Sequence, residues 1–211
     1  PKSDGNGFDR DNLLKASNLL DDAGWVLKNR QRVNVQTGKP LSFELLIASG
    51  ANDQWVLPFK KNLARLGVTM NIRQVDMAQL TNRKRSRDYD MMQTLWAAQP
   101  WPSSDLQISW ASGYIDSSYN APGVKSPVID ALIAKIVAAQ GDKNKLLPLG
   151  RALDRVLTWN YYMLPMWYMG EDRVARWDKF SLPAVRPVYT LGFDTWWYDV
   201  NKAAKLPAER R

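Results

Sequence analysis

Apolar side chains along the first half of the chain alternate between helical and strand-like spacing. A helical pattern covers residues 9–23, and an apolar run at residues 41–48 is typical of a strand buried on both faces. A second helical pattern begins at Asn52 or Asp53, and alternating residues at 68–72 predict a strand with one buried face. Alternation of helices and strands favours a layered α/β fold.

Turn and capping residues predict two smaller elements in the same half. Residues 25–35 hold two short apolar pieces around a basic patch, which is typical of a hairpin. Asp76 is placed to cap a short helix with Met77 and Leu80 facing inward, because an aspartate oxygen can accept the free N–H groups of a first turn.

The second half of the chain is predicted to be mainly helical. Residues 113–125 are rich in small and polar residues and should be irregular. Ser126, which precedes a proline, is a strong helix start, and a further helix covers residues 143–157. Residues 163–169 are predicted to form a buried strand at a sheet edge or end, because Pro165 lies within them.

The stretch of residues 89–105 begins as a short buried strand and then changes character. Two tryptophans, one amide and two prolines fall within seven residues: Trp96, Gln99, Pro100, Trp101 and Pro102. The prolines exclude a central strand and favour an extended or turning backbone. A rigid loop of large flat side chains directly after a buried strand is often one wall of a ligand site. The alternative is that both tryptophans fill the core under a long loop, and the residue types leave both interpretations open.

Composition excludes several kinds of chemistry. The 211 residues include no cysteine and no histidine, which excludes disulfides, metal sites built on those residues, and Ser-His-Asp or Cys-His catalysis within this chain. The net charge of +8 could attract anions or serve solubility. No apolar stretch approaches the roughly 20 residues of a spanning helix. The chain begins with proline, and we interpret it as part of a longer precursor.

Six segments of the chain occur in an order that is informative. They are LLDDAGW (19–25), GKPLSFELL (38–46), LARLGVTMNIRQVD (63–76), RDYDMMQTLW (87–96), YNAPGVKSPVIDALI (119–133) and ALDRVL (152–157). In this order they resemble the family 5 extracellular solute-binding proteins, the peptide- and nickel-binding receptors of ABC importers. No single segment is specific, and the evidence is their order across residues 9–199. Within the family, the chain is most similar to members linked to uptake of peptides and of the peptide-nucleotide antibiotic microcin C.

The resemblance implies a fold and a division of the chain. The expected fold is an α/β lobe of the periplasmic binding protein-like II type, a layered mixed sheet with flanking helices. Residues 1–8 would end a linker, 9–170 would form the second lobe, 171–201 would return towards the hinge and first lobe, and 202–211 would be a mobile tail. The family is not enzymatic, needs no cofactor or metal, and works in the periplasm or at the cell surface.

The resemblance also implies a ligand and a site. The expected partners are a peptide or peptide-like ligand, an inner-membrane ABC permease and the N-terminal lobe of the same precursor, with the receptor acting as a monomer. The expected ligand-binding residues are Gln93, Trp96, Gln99, Trp101, Ser104 and Asp105.

One departure from the family concerns charge at the ligand's ends. Oligopeptide-binding members carry an aspartate soon after the tryptophan that Trp96 matches, and it pairs with the ligand's amino terminus. Gln99 stands at that position, and a neutral amide suits a formyl or amide group better than an ammonium. Either the ligand is N-blocked or another acid, of which Asp105 is nearest, takes that role. Gln93 is also neutral where some members are basic, which puts carboxylate recognition in doubt.

Two other classes of function are considered from the residues. The basic run at residues 83–87 and the 23 aromatic residues could indicate a nucleic-acid-binding domain, although the run lies at a predicted helix C-terminus, where cations are favoured and usually solvated. Carboxylates such as Asp88 and Asp90 could support catalysis, but neighbours at one strand entrance make a poor acid/base site. We therefore expect a binding module without nucleic acid as a partner.

Overall fold

The computed structural model describes residue 5 and residues 7–48, 53–96, 101–187 and 190–210. The chain forms two compact units, Pro1–Met163 and Leu164–Arg211. The elements of the first unit are α1 (Arg10–Asp22), β1 (Trp25–Lys28), β2 (Gln31–Asn34), β3 (Ser42–Ala48), α2 (Asp53–Arg65), β4 (Thr69–Val75), α3 (Met77–Ser86), β5 (Met91–Met92), α4 (Leu106–Trp110), a 3-10 turn (Ser112–Tyr114), α5 (Pro127–Ala138) and α6 (Lys143–Trp159).

A three-stranded parallel sheet lies at the centre of the first unit. Its strand order is β4-β3-β5, so β3 is the inner strand. Leu45 pairs with Ile72 on one side and with Met91 on the other. Leu45, Leu46 and Ile47 are completely or almost completely buried, which explains why the run has no polar alternation. The predicted inner strand and the layered α/β class are confirmed.

Side-chain caps fix the starts of the helices. The Asp9 and Asp76 carboxylates each accept a hydrogen bond of 2.8 Å, from the backbone N–H groups of Asn12 and Gln79. The Ser126 hydroxyl accepts a longer one, 3.5 Å, from the Ile129 N–H. These bonds satisfy donors that a first helical turn leaves free. The three predicted helix starts are confirmed.

Two apolar clusters hold the first unit together. One lies on the sheet, where Val56 of α2 packs with Leu45, Ile47 and Met70. The other lies among the helices of the second half of the unit, and its fully buried members are Trp110, Val124, Ile129, Ile133, Ile136, Ala139, Leu146, Leu153 and Leu157. The helical stripes expected for α5 and α6 supply most of the second cluster.

A buried arginine joins the N-terminal helix to the hairpin. Arg32 on β2 is 1% exposed. Its guanidinium donates to the carbonyl oxygens of Leu66 and Trp25 at 2.9 and 2.8 Å, and to the Asp21 carboxylate at 2.5 Å. It also donates to the Ser17 hydroxyl. The predicted hairpin is confirmed, but its basic patch contains a core residue that sequence spacing did not identify.

The second unit contains short elements. They are β6 (Phe180–Ser181), a 3-10 turn (Phe193–Thr195), β7 (Trp197–Tyr198), α7 (Val200–Ala203) and a 3-10 turn (Ala208–Arg210). Strands β6 and β7 pair antiparallel, Phe180 with Tyr198 and Ser181 with Trp197. The Asp199 carboxylate accepts hydrogen bonds from the Ser181 hydroxyl, at 2.8 Å, and from the Lys202 N–H, at 3.1 Å. Both hydrogen bonds lower the pKa of Asp199 below its ordinary value, and the bond from the Ser181 hydroxyl has the larger effect.

Two expectations about packing are wrong. Residues 163–169 form no strand, and Tyr168 is 90% exposed. Pro165 cannot donate to a ladder, and no strand pairs with these residues in the described part of the chain. Met77, expected to face inward, is 64% exposed, whereas Leu80 is half-buried, and helix α3 has no fully buried residue.

No helix in the described ranges is long and apolar enough to span a membrane.

Candidate functional site

The strand order places a topological switch point at the carboxyl end of the parallel sheet. From β3 the chain passes through α2 to β4 on one side, and then through α3 to β5 on the other side of β3. Successive connections therefore leave in opposite directions between β3 and β5. In open α/β sheets, ligands bind outside the carboxyl ends of the strands at such a point. Residues 93–105, which we call the post-β5 loop, start at this end of β5.

Trp96 at the start of the post-β5 loop is attached to the helical layer. Its ring stacks on Trp110 of α4, with centroids 4.8 Å apart and planes inclined by 13°. Trp110 is 3% exposed, whereas Trp96 is half-buried at the edge of the helical cluster. An offset stack of this kind adds to the apolar burial. One side of Trp96 therefore fills the core, as the second sequence interpretation expects, while part of the ring stays accessible.

Trp101 is more exposed than Trp96 and lies against a cation. The side chain is 39% exposed, and the Lys143 ammonium lies 5.1 Å from its ring centroid. An ammonium over an indole face is a favourable cation–π arrangement. The next residue is held from the turn after α5, because Gln140 Nε2 donates to the Pro102 carbonyl oxygen at 3.2 Å. Trp101 thus presents a partly exposed ring beside a residue whose backbone is hydrogen-bonded.

The other site residues expected from sequence are spread along the same loop. Gln93 is half-buried, and its N–H donates to the Leu46 carbonyl at 3.1 Å, which extends the pairing of β5 with β3. Ser104 and Asp105 are exposed in the turn that leads into α4. The Ser104 carbonyl accepts from Gln107 N–H at 3.0 Å. Gln99 lies outside the described residues.

Tyr89 and Arg87 connect the entrance of β5 to the loop before α5. The Tyr89 hydroxyl donates to the Ala121 carbonyl at 2.5 Å, and Arg87 Nη2 donates to the Asn120 carbonyl at 3.4 Å. Burial raises the Tyr89 pKa above its ordinary value, against the opposing effect of the Arg87 charge. Asn120 is fully buried, and its amide exchanges two hydrogen bonds with the Val124 backbone. These contacts make the sequence YNAPG a structural turn beside the sheet.

The basic run at residues 83–87 is partly engaged with the protein itself. Arg83 lies 3.0 Å from the Glu44 carboxylate and donates to the Asp88 carboxylate at 2.9 Å. Arg87, at the end of the run, bonds the Asn120 carbonyl as described above. These two cations therefore have structural partners.

Residues that support the loop from a distance were not found by sequence reasoning. Gln140 and Lys143 lie about forty positions after the residues they contact, and neither belongs to a recognisable local pattern. Lys143 opens α6 directly after its cap, Asp142. A hydrogen bond from the Lys145 side chain is the main cause that lowers the Asp142 pKa.

No group of three or more potential metal-ligating side chains occurs within the described ranges.

Comparison with known proteins gives a consistent group of relatives. The model described as bacterial extracellular solute-binding proteins, family 5 Middle, matches residues 1–118. The chain is 74% identical over 208 residues to the uncharacterized protein YejA of Escherichia coli K12, covering 99% of this chain and 34% of that protein. It is 39% identical over 191 residues to the probable peptide-binding protein YejA of Agrobacterium fabrum C58, which covers 89% of this chain and 31% of that protein.

The fold is also that of a solved structure. The oligopeptide-binding protein AppA of Bacillus subtilis, in complex with a nonapeptide, superposes with a TM-score of 0.62 at 19% identity, over 77% of this chain and 34% of that one. At this identity the likeness concerns the fold alone. The chain spans about a third of the length of the curated relatives it matches.

Proposed function

Because this chain belongs to the bacterial extracellular solute-binding proteins of family 5, we propose that it forms one lobe of a receptor that delivers peptides or peptide-like compounds to an ABC importer. The described residues of the post-β5 loop, Gln93, Trp96, Trp101, Ser104 and Asp105, together with Gln99, would form this lobe's part of the ligand site. The proposal concerns binding and not catalysis, in keeping with the family's description.

The observation that carries the proposal is the position of the post-β5 loop. The loop leaves the sheet between β3 and β5, where the connections diverge, and a parallel sheet offers its ligand crevice at this edge. Trp101 has a partly exposed ring beside Lys143, and Gln140 bonds the backbone of the neighbouring Pro102, so Trp101 would serve as a contact surface of the site. An exposed aromatic surface on a fixed backbone suits the side chains and peptide planes of a short peptide.

The rest of the receptor is inferred from the relatives. One of them is named as a probable peptide-binding protein, and the protein of similar fold was solved with a nonapeptide. Since this chain spans about a third of its relatives, the remaining sequence would supply the other lobe. Ligand would bind between the lobes, and the closed form would dock on an inner-membrane permease from the periplasmic side. We expect a monomer and no nucleic acid as partner.

The finer specificity is proposed from Gln99 and Gln93. Neither carries a charge, so a free ammonium or carboxylate at either end of a ligand would lack its ionic partner at these positions. An N-blocked peptide, such as a formylated or microcin C-like compound, would instead bond to an amide. The alternative of a basic nucleic-acid-binding domain predicts retention on DNA that falls steeply with salt.

The test uses the full-length receptor and a matched pair of peptides, tri-alanine and N-formyl-tri-alanine, with affinities measured by calorimetry. Trp101→Ala should weaken both peptides, whereas Trp159→Ala, which removes a 71% exposed ring of α6 outside the loop, should weaken neither. Gln99→Asp should shift the preference from the formyl peptide to the free-amine peptide. The formyl peptide should lose about 1–3 kcal/mol of binding free energy, and the free-amine peptide should gain a charge-assisted hydrogen bond. Unchanged affinities in Trp101→Ala would refute the assignment of the loop to the site.

A further inference from the structure

A glycine inside helix α6 touches the post-β5 loop. Gly150 lies in the middle of Lys143–Trp159, and a Cβ atom placed on it would come within 2.7 Å of the Pro102 Cγ atom. Real Cβ contacts are never this short, so any side chain at position 150 would displace Pro102. Pro102 therefore fits against α6 because position 150 carries no side chain.

The backbone of Gly150 gives no other reason for glycine. Its φ is not positive, unlike that of the glycines in the turns of this chain. Glycine is a poor residue for a helix interior, since it loses more conformational entropy than alanine and packs no side chain. The contact with Pro102 accounts for the exception.

Two further contacts act on the same two loop residues. Gln140, in the turn after α5, donates to the Pro102 carbonyl oxygen at 3.2 Å and also to the Ile136 carbonyl at 2.8 Å. Lys143 at the first turn of α6 lies over the Trp101 ring. Contacts from α6 and from the turn before it therefore define where Pro102 lies, and Pro102 is bonded directly to Trp101.

We propose that Gly150, supported by Gln140, is a positioning residue of the ligand site, which sets the location of Trp101 through Pro102. This inference rests on the proposed function, because it gives the position of Trp101 a role in ligand affinity. Gly150 itself does not need to touch the ligand. The affinity of the receptor is then determined in part by a helix residue 49 positions after Trp101 in the sequence.

The first measurement follows Trp101 directly in the full-length receptor. The protein is labelled with 5-fluorotryptophan, and the fluorine resonance of Trp101 is the one missing from Trp101→Phe. Gly150→Ala should move this resonance while leaving the unfolding midpoint nearly unchanged, since alanine is the better helix former. A resonance that stays in place overturns the proposal.

The second measurement tests the consequence for binding. Gly150→Ala should weaken the affinity for tri-alanine or N-formyl-tri-alanine, whichever the wild-type receptor binds, by about tenfold, a typical effect of misplacing one contact surface. A moved resonance with unchanged affinity overturns the proposal as well. If the wild-type receptor binds neither peptide, the proposed function fails, and the fluorine resonance alone decides whether Gly150 positions Trp101.

A double variant separates positioning from general damage. In Gly150→Ala with Pro102→Ala, the clashing ring atom is gone, and the remaining Cβ atom of residue 102 lies at an ordinary 3.7 Å from the new methyl group. The affinity of this variant should equal that of Pro102→Ala alone, because the two changes are coupled through one contact. Additive losses contradict the mechanism. If Gly150→Ala does not fold, Gln140→Met takes its place in the test. This variant removes the hydrogen bond to Pro102 without a clash, and it should also weaken peptide binding.

Discussion

At the scale of single residues, the most demanding side chain is Arg32. Its guanidinium is buried, and it donates to three backbone carbonyl groups, to the Ser17 hydroxyl and to the Asp21 carboxylate. A buried cation is stable only when its donors are paired in this way. Arg32 also contributes its backbone N–H to the Gly67 carbonyl at 2.8 Å. The residue connects α1, the hairpin and the end of α2.

Replacing Arg32 by methionine should therefore destabilise the chain by about 3 kcal/mol or more. The variant keeps an unbranched apolar stem but removes the guanidinium, which leaves buried carbonyl groups without donors. Urea unfolding followed by circular dichroism measures the change. Arg151→Met, on an exposed position of α6, serves as the control and should change the unfolding free energy by less than about 0.5 kcal/mol. Equal effects of the two substitutions would contradict the role given to Arg32.

At the scale of elements, helix starts and the inner strand could be predicted because each is encoded locally. Asp9, Asp76 and Ser126 cap within three residues of themselves, and the apolar run of β3 needs no partner to be recognised. The contacts of Gln140 and Gly150 with Pro102 join positions 38 and 48 residues apart, and no local pattern encodes them. For the same reason the sequence indicated where the post-β5 loop begins but not which residues support it.

The β1–β2 hairpin yields a prediction of its own. Its two turn residues, Asn29 and Arg30, have φ angles of 48° and 66°, as a type I′ turn requires. Arginine is strained in this region, and glycine is not. Arg30→Gly should raise the unfolding free energy by about 0.5–1 kcal/mol. Gln31→Gly, one position later in β2, should lower it, because glycine weakens a strand. A loss of stability in Arg30→Gly would show that the side chain contributes more than the strain costs.

At the scale of the whole molecule, both apolar clusters belong to the first unit. The 48 residues of the second unit add short strands and turns. A unit that contains its own core should fold alone. This division is a physical basis for proposing that one lobe of a receptor corresponds mainly to residues 1–163.

A chain shortened to residues 1–163 should consequently unfold in a single cooperative transition. Its urea midpoint should lie close to that of the whole chain, because the buried residues of both clusters are retained. A second truncation, at residue 125, removes α5 and α6 and with them most of the helical cluster. That chain should lose cooperativity. A broad transition for residues 1–163 would show that the second unit contributes to the core.

The stacked pair Trp96 and Trp110 has an optical consequence. Two indole rings with centroids 4.8 Å apart and nearly parallel planes share their excited states, so their ultraviolet transitions couple. Part of the far-ultraviolet dichroism of this chain then originates from a tertiary contact instead of from helices. Helix content calculated from that spectrum will carry an error, and the difference spectrum between the wild type and Trp110→Phe isolates a signal that follows the packing of Trp96 on α4.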